Sequence, residues 1–489
     1  MMKPFSILVA LAFLLVLAPV AQAAGQNDDV LTYHLNAARD GNFTVPNLNF
    51  ASARDLHRDP GFSPAIKGHI YAQPLYWHDE SGRGILIIAT ENDTVYGLDA
   101  VTGKTIWQKT LGQPVRRSEL PCGDIDPLGI TGTPVIDPAT GTIYLDAMLR
   151  DEKSGAPAHK VFALSAENGQ VLAGWPVNLA AKLASQGFVS RVQNQRGALT
   201  ILNGSLYIPY GGNDGDCGRY HGWVVRVQLN DPGKVTGWHT AAVGGGIWGP
   251  SGISSDGHDL FVTTGNTMDA RQWGGGEAVI RLSPALSFSG AAKDFFAPRD
   301  WRALDERDLD LSGVGPILFE DSGKPLVLAL GKNGYAYLLN RSNLGGFGGS
   351  MASKHVSSAH IITAAAAFPA KGGTFVAFHA PGTQCKTSGA ELTVLRIQAG
   401  ASPSIDTAWC GAVRGAGAPI VTTTDGKSDA IVWMLGAEGD NRLYGFKGDT
   451  GERLYVSKPL PGLRHMQTLI ATATHLYVAA DNTVFAFGF

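Results

Sequence analysis

Four cysteines, an acidic run and a scatter of histidines are the residues of this sequence whose chemistry is most evident. Cys122, Cys217, Cys385 and Cys410 are an even number. In an oxidising compartment that argues for two disulfides, although four cysteines allow three pairings. Cys385 and Cys410 flank one strand pair of a sixth repeat, so a bridge between them is the local reading, and Cys122 would then pair with Cys217 across neighbouring repeats. No Cys-x-x-Cys occurs, so neither a zinc knuckle nor a covalently attached haem is encoded. Asp305, Glu306, Asp308 and Asp310 form a run that also reads as a solvated loop. His69, His159, His221, His360 and His465 lack metal-ligand spacing, yet a ring fold could gather them at an axis, so copper or iron stays open. Two polar loops, 437–442 and 462–467, offer Glu438, Asp440, Asn441, Arg464 and His465 as the lining of a funnel or as caps on its rim. No Gly-x-Ser-x-Gly elbow, Walker loop or dinucleotide fingerprint is present, which removes the hydrolase and nucleotide classes.

The elements that must position these residues are strands. Eight times a short apolar strand ends in a similar tag: Val95–Leu98, Val161–Leu164, Val224–Val227, Val279–Leu282, Ala336–Leu339, Val394–Ile397, Leu443–Phe446 and Val484–Phe487. The chain is an internal repeat. Each tag closes a pattern of three strands. The first is headed by small residues or proline (Ala72-Gln73-Pro74, Gly132-Thr133-Pro134, Gly417-Ala418-Pro419), and the second is strongly apolar (Ile85–Ala89, Leu260–Thr264, Ala430–Gly436). Valine, isoleucine, tyrosine and phenylalanine between Gly, Asp, Asn and Pro are a strand signal. Small residues at the first strand suit backbones converging on an axis. Together these predict an all-β fold, a single eight-bladed β-propeller of four-stranded blades. A ring of fewer blades, or two smaller propellers, is the alternative. The last tag stops two residues short of Phe489, so the eighth blade lacks an outer strand. The segment from Leu31 to Thr44 is expected to supply it and close the ring.

Composition bounds the partners. With 62 glycines, 17% charged residues and a net charge of −3 over 489 residues, the chain has no field that would attract nucleic acid. Residues 1–23 combine Lys3, an apolar run from Phe5 to Val20 and Ala21-Gln22-Ala23, the pattern of a cleaved secretory signal peptide, with an uncleaved anchor as the alternative. The expectation is a periplasmic or secreted propeller over residues 24–489 with no membrane span.

A resemblance sharpens this. Gly97-Leu98-Asp99-Ala100-Val101-Thr102-Gly103-Lys104-Thr105-Ile106-Trp107 is similar to the tryptophan-docking tag of quinoprotein propellers, and Phe446–Gly451 is a weaker echo. Further segments follow in order: Gly244-Gly245-Gly246-Ile247-Trp248-Gly249, Leu260–Asn266, Trp301–Gly313 and Gly331–Arg341. They resemble four segments of the pyrroloquinoline quinone (PQQ)-dependent alcohol dehydrogenases. That resemblance implies that Trp248 lies under the quinone, where an indole face can stack. It implies Asn266, Asp310 and Asp216 as ligands of Ca²⁺, which favours hard oxygen donors. Asp310, with Asp308 beside it, would be the base, and Lys332 would polarise the quinone oxygens. Each residue also has a plainer reading. Trp248 could pack a channel floor, Asn266 could turn a strand end, and Asn333-Gly334 is hairpin chemistry in itself.

Two departures stand out. The dehydrogenases carry two adjacent cysteines followed by a strand containing an arginine, whereas Leu120-Pro121-Cys122-Gly123-Asp124 has one cysteine and no such arginine follows. Their calcium-binding glutamate falls where this chain has Asp216 or Cys217. Losing a carboxylate weakens a calcium site, and a Cys122–Cys217 bridge near the axis would fill part of the quinone's volume. Two function classes follow. One is a PQQ- and Ca²⁺-dependent dehydrogenase of an alcohol or sugar with a separate electron acceptor; the other is a non-catalytic propeller binding a protein or ligand, as assembly-factor relatives do.

Overall fold

The computed structural model describes residues 28–268, 271–386 and 388–489. The signal-peptide reading of residues 1–23 lies outside them. Eight sheets, each built on four antiparallel strands, follow one another around an axis. Blade 1 spans 75–110, blade 2 135–178, blade 3 200–239, blade 4 254–297, blade 5 317–355, blade 6 366–411 and blade 7 420–456. Blade 8 spans 469–488. Every predicted tag falls on the third strand of its blade, and every apolar run on the second. The second strands are apolar throughout because each lies mid-sheet between two neighbouring blades. Ile85, Leu86, Ile87 and Ile88 are all buried, as are Leu326 to Leu330.

Ring closure differs from the expectation in its residues. The outer strand of blade 8 is His57–Arg58, paired antiparallel with Phe487 and Gly488. Residues 31–44 do another job. Asn42–Thr44 runs parallel to the inner strand of blade 7, and the stretch before it is bonded around the hub. The carbonyls of Val30, Leu31, Ala37, Ala38, Asp40 and Gly41 accept the amides of Tyr76, Ile136, Ser255, Leu318, Ala367 and Val421. Those amides occupy the second position of the inner strands of blades 1, 2, 4, 5, 6 and 7. Blade 3 is reached by Arg39, whose guanidinium donates to Leu199 O, Thr200 Oγ1, Ile253 O, Tyr33 O and Thr32 Oγ1. Blade 8 is reached by Asp28, which accepts from the Ala473 amide. A belt of the N-terminal chain thus touches all eight blades. Extended residues at a sheet edge and at a hub share one sequence pattern, which is why 31–44 reads as a blade strand.

The small residues heading the first strands do crowd the axis: Ala198, Ala364 and Ala418, from blades 3, 6 and 7, close on Tyr33. Outside the hub, blades are locked by aromatic donors. Trp107 Nε1 of blade 1 donates to Ala166 O of blade 2 at 2.9 Å, and its ring covers Gly97 and Gly169. Trp409 of blade 6 donates to Gly448 O of blade 7 at 2.7 Å. Tyr477 of blade 8 donates to Ala100 O of blade 1 at 2.8 Å and seals the ring. The docking tag and its echo around Gly448 are therefore the receiving turns of this lock as well as the source of one of its tryptophans.

Both disulfides join the expected pairs, Cys122 to Cys217 and Cys385 to Cys410. Among the described residues no helix is long and apolar enough to cross a membrane.

Candidate functional site

The strand starts and the hairpins between second and third strands converge on one face of the ring. They surround a cavity of about 490 Å³ at the axis, within the range of roughly 300–1,000 Å³ typical of small-molecule sites. Trp248 arrives from the connection between blades 3 and 4, Asp308 and Asp310 from that between blades 4 and 5, and Lys332 from the hairpin of blade 5. Asp214 and Asp216 come from the hairpin of blade 3, Arg196 from the approach to blade 3, and Asp124 from the approach to blade 2. His465 and Met466 line the far side.

Asp310 is the buried centre of this group, 3% exposed. Its Oδ1 accepts from the Asn266 amide at 2.7 Å, and its Oδ2 from Trp248 Nε1 at 3.1 Å and Lys332 Nζ at 2.7 Å. Lys332 reaches Asp308 Oδ1 as well, at 2.9 Å, and its ammonium lies 5.3 Å from the Trp248 ring centroid. The hairpin explains the aim: Asn333 Oδ1 caps the Tyr335 amide, Gly334 takes φ +74°, and the Lys332 amide is pinned to Asp310 O at 2.9 Å. Burial pushes the Asp310 carboxyl above its usual range, and Lys332 pulls it part of the way back. Burial opposes charge on Lys332 too, but Asp310 and Asp308 outweigh it and raise its pKa.

Behind Asp310 stands Glu277, unflagged by sequence because a lone acid after Gly274-Gly275-Gly276 carries no motif. Its Oε2 accepts the Leu311 amide at 2.8 Å, and its Oε1 has no hydrogen-bond partner. Burial, then the Asp310 charge, push its carboxyl well up. Gly265 must lack a side chain here, since a Cβ would sit 2.6 Å from both Asp310 Oδ1 and Ser312 Oγ.

The residues implied as calcium ligands are only partly gathered: Asp216 and Asp310 line one cavity, but each is held by other donors. Asn266 meets Asp310 through its backbone amide and lines a neighbouring depression with Thr267, Asp305 and Glu306. Asp216 accepts the Tyr220 hydroxyl at 2.6 Å, and Asp305 binds the Thr267 amide and hydroxyl. Three donors already hold the Asp310 carboxylate. Among the described residues no group of three or more His, Cys, Asp or Glu is arranged to hold a metal. This donor set does not fit Ca²⁺. A planar quinone fits better: Trp248 is half-buried in the wall, an ammonium stands over its ring, and a buried carboxylate lies beside both.

The Cys122–Cys217 bridge backs Gly215, where a Cβ would lie 3.5 Å from Cys122 Sγ, so the disulfide is part of the wall behind the blade 3 hairpin. The polar loops divide. His465 lines the cavity and pairs with Glu438 at 2.9 Å, whereas Arg464 is spent on Asp481 and His69, and Asp440 on Tyr444. Of the scattered histidines, His360 also lines the cavity, while His159 is buried against Asp146 at 2.6 Å.

No protein-family profile matches the sequence, and no curated protein matches it. Solved structures do. Quinohemoprotein alcohol dehydrogenase ADHIIG from Pseudomonas putida HK5 superposes with a TM-score of 0.68 at 14% identity, over 92% of this chain and 75% of that one. The quinohemoprotein alcohol dehydrogenase from Comamonas testosteroni gives 0.65 at 15% identity, over 95% and 81%. A europium-containing methanol dehydrogenase gives 0.64 at 16% identity, over 92% and 89%. BamB from Moraxella catarrhalis gives 0.51 at 14% identity, over 89% and 98%. The propeller fold is shared with the quinoprotein dehydrogenases.

Proposed function

We propose that this chain is an exported, quinoprotein-like oxidoreductase that oxidises an alcohol or sugar hydroxyl in the axial funnel. The observation that carries this reading is the convergence of Trp248, Asp310 and Lys332, distant in sequence, on one cavity. A PQQ-type quinone, when bound, supplies the two-electron acceptor that no side chain offers. Trp248 would provide a face to orient the quinone's planar ring, and the Lys332 ammonium would stabilise charge gained on its oxygens. Asp310 takes the hydroxyl proton at Oδ1, the oxygen with a single donor on it. Its raised pKa brings it closer to the working pH of a base. Electrons leave to a separate acceptor. No step is assigned to calcium.

That calcium mismatch favours a second reading, a non-catalytic propeller using the funnel face for a protein or ligand. Titrating purified protein with PQQ, followed by quinone absorbance and by dye reduction over a panel of alcohols and sugars, separates the two. Saturable binding and turnover are expected. Asp310→Asn should lower kcat by about 10²–10⁴-fold while leaving quinone affinity within a few-fold. No saturable binding at micromolar quinone discards the dehydrogenase and leaves the binding propeller.

A further inference from the structure

A second group of oxygens sits in the seam between blades 1 and 2, away from Trp248 and Asp310. Glu91 and Asp93 flank the turn joining the second and third strands of blade 1, and both are fully buried. Asp93 holds φ +51°, and neither of its carboxylate oxygens has a hydrogen-bond partner. Glu91 Oε2 accepts the Gly129 amide of the approach to blade 2 at 2.7 Å, leaving Oε1 without a partner. Thr131 turns its hydroxyl towards Glu91 but has no partner within hydrogen-bond distance. Gly129 is the pivot. A Cβ there would lie 2.8 Å from Asp93 Oδ1 and 2.4 Å from Glu91 O, so glycine keeps open the space on which both acids close.

Two buried carboxylates that repel each other without a paired cation are costly. Among the described residues no ion pair reaches either one; the positive charge acting on Glu91 belongs to Arg196, already paired with Asp124. Burial accordingly pushes the Glu91 carboxyl up to about 7 and Asp93 well above its usual range. Protonation is one way to relieve such a pair, and a bound cation is the other. The donors are all oxygens, with no nitrogen or sulfur, and all three residues are buried. This favours calcium over magnesium, which keeps several waters.

We infer that Glu91, Asp93 and Thr131 form a buried Ca²⁺ site that clamps blade 1 to blade 2, behind the stretch of funnel wall carrying Asp124 and Arg196. The inference is independent of the quinone reading, because none of its ligands is among the residues assigned there.

The test is calorimetric titration of full-length, chelator-treated protein with Ca²⁺ and, separately, Mg²⁺, alongside thermal unfolding. One Ca²⁺ per chain and a rise in Tm are expected, with Mg²⁺ at least tenfold weaker. Asp93→Asn, nearly isosteric, should weaken Ca²⁺ by at least tenfold and abolish the rise in Tm, and Glu91→Gln should do the same if the first variant folds poorly. Asp310→Asn should bind Ca²⁺ like the parent, which separates this site from the funnel. Absence of saturable Ca²⁺ binding, unchanged binding in both seam variants, or loss of binding in Asp310→Asn would each overturn the inference; the first would leave a protonated acid pair in the seam.

Discussion

His34 lies fully buried in the belt, stacked on Tyr33 at 4.3 Å, with neither ring nitrogen bonded. Burial, then the Arg39 charge, push its pKa from 6.5 down to about 3. An unfolded chain takes up that proton near pH 6.5, whereas the folded one refuses it until about pH 3. The native state is therefore fully favoured above 6.5 and loses stability as pH falls towards 3. His34→Phe removes the linkage. Relative to the parent it should gain on the order of 3 kcal/mol at pH 4 compared with pH 7.5, read as a shift in urea midpoint between the two pH values. An identical shift at both would show that His34 does not carry the acid sensitivity. Trp248, Asp310 and Lys332 were legible at this scale because each sits in a short glycine-marked or turn-marked segment. Arg39 and His34 were not, because their surroundings come from strands far away in sequence: Arg39 bonds partners up to 214 residues distant.

The repeated element is a blade, and blades 1, 6 and 8 each offer an aromatic donor to the next blade's turn. Its tag and strands could be read directly, since mid-sheet burial forces an apolar second strand and crowding at the hub forces small residues into the first. What could not be read was which aromatic docks where: Trp107 and Trp409 are indoles, while blade 8 uses the Tyr477 hydroxyl. Trp107→Phe keeps a ring over Gly97 and Gly169 but leaves the Ala166 carbonyl without its donor. A loss of about 1–2 kcal/mol is expected. Trp409→Ala, which also empties the space above Gly451, should cost about 3–5 kcal/mol. Chemical denaturation of the two variants checks the order. Equal losses would mean that the ring contributes little beyond its hydrogen bond. The outer strand of blade 8 shows the limit of such reading, because a two-residue strand, His57–Arg58, has no periodicity to detect.

At the scale of the whole molecule the hub is held by the belt. Arg39 donates five hydrogen bonds from a fully buried position, and burial draws its pKa down to about 9. Arg39→Met keeps the volume but takes the guanidinium donors from the Tyr33 and Leu199 carbonyls and the Thr32 hydroxyl, while Thr200 Oγ1 and Ile253 O keep their bond to each other, a loss of about 3–5 kcal/mol, measured by urea unfolding. A variant as stable as the parent would show that blade-to-blade packing alone secures the ring. The belt also orders events in time. Ribosomes release residues 28–45 long before Leu469 exists, yet these residues must rest against every sector, the last-made included. No nascent portion can finish its centre while synthesis continues. Maturation must wait for the completed polypeptide, and such distant pairing is intrinsically slow.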